Sequence, residues 1–204
     1  MGLTRLRGGG VDNPLTLGGG SASDNSIVFD GNAQDFHIGL DDSTDSLTMG
    51  LGSALGTTSH MVFDANGHIT KPLTPAFSAR GNYSQINVNN EVWIFNSTTI
   101  NSAFNIGGHY NTSDGKFTAP IAGRYFFHFS TIINTQGTNL TLQLRVNNSQ
   151  TDQIHISQDE NGWNTYSVSN IYNLSANDYV TVFVPNNYSL YGQTWSRFTG
   201  YLLG

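Results

Sequence analysis

The sequence holds three sets of side chains that could do chemistry, and two of them are spaced wrongly for it. The histidines, His37, His60, His68, His109, His128 and His155, are scattered, with no pair at the i, i+4 spacing that puts two imidazoles on one helix face. No Gly-x-Ser-x-Gly elbow presents a nucleophile. "GLGSALG" at 50–56 has the glycines of a dinucleotide loop but not the long strand and helix that make such a loop work, so it reads as tight turns. Asp41, Asp42 and Asp45 miss the regular calcium-loop spacing and read as an acidic, solvated turn. The third set is aromatic. Trp163 in "DENGWN" and Tyr188, Tyr191 and Trp195 in "NNYSLYGQTW" sit among turn residues. Ring faces beside Asn, Gln and Asp suit a sugar, which stacks and hydrogen-bonds at once. The same rings would also serve to cap a sandwich or to pack between subunits, and both readings stay open.

Positioning loop aromatics takes a rigid frame, and the composition says which kind. Only 11% of the 204 residues are charged, against roughly a quarter in ordinary globular chains. Asn, Ser, Thr and Gln supply the polarity, which suits an all-β protein with many turns. The net charge of −6 removes the attraction to phosphate that nucleic-acid binding needs, and disfavours an anionic membrane surface. With no Cys, there is neither a disulfide nor a thiolate metal site. "MGLTRLRGGG" lacks the apolar core of a signal peptide, and no apolar run approaches the ~20 residues that span a bilayer.

The chain has two grammars. Residues 1–22, with two triple-Gly runs, cannot bury a core; they read as a free tail or as an anchor laid on a partner, with Leu3, Leu6, Leu15 and Leu17 as its candidate contacts. Residues 23–74 show short period-two runs: Phe36, Ile38 and Leu40, then Leu47, Met49 and Leu51. "IVFDGN" at 27–32 echoes as "MVFDANG" at 61–67, a strand and then a tight turn. Strands of three to five residues with one apolar edge cannot offset their own chain entropy, so this segment is expected to be a slender stalk intertwined with identical chains. From residue 75 the strands lengthen. "EVWIF" places Val92 and Ile94 on one face. "NLTLQLRV" and "YVTVFV" alternate strictly, and "RFTGYLL" closes the chain. Turn clusters at regular spacing between such strands mean a sandwich or jelly roll. In "TAPIAGRYFFHFS", Tyr125, Phe127 and Phe129 share the core face, while Phe126 and His128 point the other way, towards a subunit interface or solvent.

Taken together, "PAFSAR", "DGKFTAPIAGRYFFHFS", "LSANDYVTVFV" and "SRFTGYLL", in that order, resemble the globular head of complement component one, subcomponent q, a branch of the tumour-necrosis-factor-like jelly rolls. The resemblance covers about residues 75–204. It implies a ten-stranded jelly roll that trimerises about a threefold axis, with Phe77, Phe117, Gly123, Tyr125, Phe127, Phe198 and Gly200 at characteristic positions. Gly123 is expected to make the turn before its strand. Asn177 stands where the family has Gly, and Asn tolerates the left-handed turn. Relatives hold structural calcium, whose ligands are not mapped onto this sequence; no cofactor is expected, and a structural calcium stays open. The Gly-spaced segment and its "FDANGHITKP" junction resemble trimeric fibre proteins of tailed bacteriophages.

These readings converge on a non-enzymatic, all-β homotrimer at the surface of a virion: anchor 1–22, stalk 23–74, jelly-roll head 75–204. The expected role is a phage fibre. Its head would bind a host-surface glycan through Trp163, Tyr188, Tyr191 and Trp195, and Phe126 and His128 would lie in the trimer interface. Its N-terminus would hold other virion proteins. The alternative is a capsid-attached head fibre or decoration protein. A cellular adhesion or immune-type lectin is disfavoured by the missing Cys and signal peptide.

Overall fold

The computed structural model describes residues 16–133, 139–156 and 162–204; of the anchor candidates, Leu3, Leu6 and Leu15 lie outside these residues, and Leu17 is exposed. The chain divides into two units, Met1–Leu73 and Thr74–Gly204. Every named element is a strand.

The N-terminal unit is a five-stranded antiparallel meander of β1 (Asn25–Phe29), β2 (Phe36–Asp41), β3 (Ser46–Leu51), β4 (Ser59–Phe63) and β5 (Ile69–Thr70), each strand paired with the next. The period-two runs therefore do form strands, and each pairs with its neighbour in the same chain. These ladders close within one chain, because tight connections such as the Asp64–Gly67 turn bring consecutive strands side by side. Pairing stacks the apolar side chains in rows on one face. Phe29, Phe36 and Leu51 form one row, Ile27, Ile38, Met49 and Met61 the next, and Leu40, Leu47, Phe63 and Ile69 a third.

On the opposite face the polar residues at the middle of the sheet are the buried ones. His37, Asp41, Ser46 and Thr48 are 1–5% exposed. The loop 52–58 folds over them: the Gly52 carbonyl lies 2.9 Å from His37 Nδ1, and Gly56 passes Asp41 so closely that a Cβ there would meet Oδ2 at 3.0 Å. Asp41 accepts hydrogen bonds from the Ser43 amide and hydroxyl, which holds its carboxyl below the usual range. Gly52 and Gly56 take positive φ, the turn role expected of "GLGSALG".

The C-terminal unit is a two-sheet jelly roll built from β6 (Ala76–Ala79), β7 (Gln85–Val88), β8 (Glu91–Val92), β9 (Phe104–Ile106), β10 (Tyr110–Asn111), β11 (Lys116–Thr118), β12 (Gly123–Ile133), β13 (Leu140–Val146), β14 (Ser149–Ile156), β15 (Asn164–Leu174), β16 (Tyr179–Val184), β17 (Tyr188–Tyr191) and β18 (Arg197–Leu202). One sheet runs β15-β12-β18-β6-β9 and the other β10-β11-β16-β13-β14, with β8 beside β16; β17 and β7 form a separate ladder. The last strand thus sits at the centre of its sheet, and the chain enters where it leaves: the Leu202 amide donates to the Pro75 carbonyl at 3.0 Å.

Alternation along β12 fixes what goes inside. Tyr125, Phe127 and Phe129 are fully buried, and Phe126 and His128 face outward. Phe77, Phe117, Phe127 and Phe198 lock as stacked, tilted and edge-on pairs at 5.0–6.4 Å. "EVWIF" is corrected in phase: Trp93 and Phe95 are fully buried, while Val92 and Ile94 are only partly so. Only Glu91–Val92 pairs as strand, and the larger rings that follow take the interior. Trp93 Nε1 donates to Tyr83 Oη at 2.6 Å, and burial pushes the Tyr83 phenol up to about 12.

Two glycines mark close approaches. Gly123 makes no turn but opens β12, where a Cβ would meet Leu202 Cδ1 at 2.9 Å. Gly200 pairs with Phe127, whose ring lies across it; a Cβ there would come within 2.6 Å of that ring and 2.9 Å of Phe77. Asn177 takes φ 72°, as its place in the turn requires. The packing around Gly200 predicts that Gly200→Ala lowers the unfolding free energy by about 1–3 kcal/mol through overpacking, read from urea or thermal unfolding. Unchanged stability would mean that the rings beneath β18 can yield.

Candidate functional site

Two surfaces of the C-terminal unit carry side chains whose exposure the fold alone does not explain. The first is aromatic. Trp163 precedes β15, and Trp195 stands on the turn that joins β17 to β18. Their rings stack at 5.9 Å with an 18° interplanar angle, and Tyr191 meets Trp163 edge-on at 4.9 Å. Both indoles remain about half in water, 53% and 51% exposed, so the stack presents a broad apolar platform.

The turn beneath that platform is braced. The Trp195 amide donates to the Gly192 carbonyl, and the Gln193 amide to the Gly81 carbonyl. Arg80, 6% exposed, donates from Nη1 to the carbonyls of Gln193 and Thr194 at 3.2 and 3.4 Å. Ser196 is buried between Thr131 and the Tyr191 carbonyl. Gln193 and Thr194 are exposed on the same turn and offer donors and acceptors next to the rings.

Of the four sequence-chosen aromatics, the fold gathers three. Tyr188 is a correction: it is 8% exposed, and its hydroxyl donates to the Asn139 carbonyl at 2.7 Å. Along β17, Tyr188 and Leu190 point inward and Tyr191 falls in the opposite phase. Arg80 was missed by sequence reasoning, because its two acceptors lie over a hundred residues away in the chain.

The second surface is the outer face of the β15-β12-β18-β6-β9 sheet. Register aligns Ile171, Phe126, Tyr201, Ala76 and Ile106 in one row across all five strands. Ile171, Tyr201 and Ile106 are 53%, 44% and 37% exposed, and Phe126 packs on Tyr201 at 5.4 Å. Sequence reasoning found Phe126 but missed Tyr201, which the alternation after Phe198 and Gly200 could have flagged. His128 sits one row along, between Ser169 and Thr199. Partial burial and then repulsion from Arg197 hold its imidazole below the usual pKa.

Among the described residues no group of three or more His, Cys, Asp or Glu is placed to hold a metal ion. No helix among them is long and apolar enough to cross a membrane.

Two facing antiparallel sheets with the C-terminal strand in the middle of one define the tumour-necrosis-factor-like jelly roll. Within that class the assignment is narrower: the C1q domain matches residues 76–203, and the chain belongs to that family. A search of curated proteins finds no match. Among solved structures, the fold is similar to the globular domain of a zebrafish complement 1qA protein, at 18% identity and TM-score 0.51, covering 64% of this chain and 98% of that one. It is also similar to an Eiger tumour necrosis factor from S. frugiperda, at 12% identity and TM-score 0.52, covering 66% and 94%. Murine APRIL is a third, at 10% identity and TM-score 0.50, covering 64% and 99%. Domains of this class commonly trimerise and bind ligands, and are typically binding or structural modules.

A depressed histidine pKa has a definite sign. The unfolded chain takes up its proton near pH 6.5 while folded His128 resists, so stability is full above that pH and declines below it. Urea unfolding at pH 7.5 and 5.5 should show this loss, and His128→Gln should reduce it. An unchanged pH slope in the variant would remove His128 as its source.

Proposed function

We propose that the chain is a homotrimeric surface appendage of a bacteriophage virion, and that its C-terminal unit binds a host-surface glycan. The stacked, half-exposed Trp163–Trp195 pair carries this reading. Leaving two indoles half in water is unfavourable for the free protein, and a flat carbohydrate face relieves that exposure while Gln193 and Thr194 hydrogen-bond its hydroxyls. The braced turn holds the platform in its binding shape beforehand, which lowers the ordering cost of binding.

Trimerisation supports the same reading. The row through Phe126 and Tyr201 is an apolar stripe on the outer sheet face, and two further copies would cover it, with His128 alongside. Three heads then present three platforms, and weak single-site binding becomes avid. The virion assignment follows the Gly-spaced β unit ahead of the head and the short N-terminal peptide, which serves as the contact to other virion proteins.

Light scattering of the full chain should give the mass of a trimer. Trp195→Ala should keep that mass and abolish binding to host cells or to a glycan array. Wild-type protein that binds no host surface, with label found on the capsid shell, would overturn receptor recognition and favour the decoration role. A monomeric mass would remove the trimer.

A further inference from the structure

The N-terminal sheet inverts the usual logic of a half-buried sheet. The polar middle of one face is covered by its own loop, and its apolar face is open. Ile27, Phe29, Phe36, Leu40, Leu47 and Ile69 are 44–59% exposed on that one face, with Met49 at 39%. No charged side chain interrupts the paired rows. The exposed parts of these side chains sum to roughly 600 Å² of apolar surface. That is at the upper limit of what a soluble monomer carries and close to the ~800 Å² per partner of a stable interface.

The face is also shaped to receive something. The bulge between Met49 and Gly50 leaves His60 outside the ladder, edge-on to Phe36 at 6.2 Å. Beside it a groove of about 320 Å³ is lined in part by Phe29, Phe36, Met49, His60 and Met61, with Lys71 the charged residue of its lining. That volume accommodates a side chain from a facing surface.

We propose that this sheet is a second, independent assembly surface, on which three copies of the chain pack their apolar faces together as a three-sided β prism with a dry interior. The choice of occupant rests on the trimer reading above. A head of a trimer-forming family keeps two identical faces at high effective concentration, so a copy reaches the face ahead of any unrelated partner. The division of the sheet fits a prism wall: the open face turns inward, and the loop-covered face turns to water. Each sheet is closed within its own chain, so the prism forms by docking finished walls rather than by weaving strands.

The chain has no Cys, so a single introduced thiol reports one position without interference. Met49 lies mid-row on the central strand β3, where prism walls converge. In the full chain, Met49→Cys should oxidise to a covalent dimer and leave about a third of the thiols free, since three thiols around one axis form one bond. Ile38→Cys, beside it in the same row, should behave alike. Val28→Cys, exposed on the opposite face, should remain uncrosslinked.

Complete consumption of the Met49→Cys thiol would indicate a two-sheet sandwich and overturn the prism. No crosslink with a trimeric mass would overturn it too, and leave the head's trimer standing. A monomeric mass without crosslinking removes both.

Discussion

The pairing of Gly200 with Phe127 is the contact on which the C-terminal unit depends. A glycine in the middle of a central strand weakens it unless a neighbouring ring covers the gap, and Phe127 does so from β12. With that ring in place, the register of β12 against β18 has no freedom. A one-residue slip would set Phe126 and His128 in the core and put Tyr125, Phe127 and Phe129 into water. The same register carries across the sheet, so the row from Ile171 to Ile106 follows from it. Core and outer face are thus two readings of a single alignment.

Much of this was legible because alternation is a local property. β12, β13, β16 and β18 each show it, and residue type marks the left-handed turn at Asn177 and the close approach at Gly200. "EVWIF" misled because Val, Trp, Ile and Phe are all apolar, so its pattern has no phase; ring size decided which pair went inside. The aromatic platform was half legible. Trp163 and Trp195 could be named, but their stacking is a fact of tertiary structure, and nothing near Tyr188 marks it as the inward member of its pair.

The N-terminal unit shows a different limit. Its period-two pattern separates two faces correctly, and ordinary expectation then buries the apolar one. Here the loop 52–58, with glycines at φ 87° and 75°, lies close enough to seal His37, Asp41 and Thr48. Pattern fixes which residues share a face. It does not fix which face a loop will choose, because that depends on whether the loop can approach without side chains of its own.

The Leu202–Pro75 hydrogen bond places the two ends of the C-terminal unit side by side. Tyr201 pairs with Ala76 on adjacent strands, so the chain returns to within a strand spacing of where it began. A domain closed in this way is a graft. It can be set into a surface turn of another protein without prising the host's strands apart, and a cargo joined after Leu203 would emerge beside the point of attachment, away from the turns at the far end of the sandwich. That geometry makes the unit a ready-made scaffold for display.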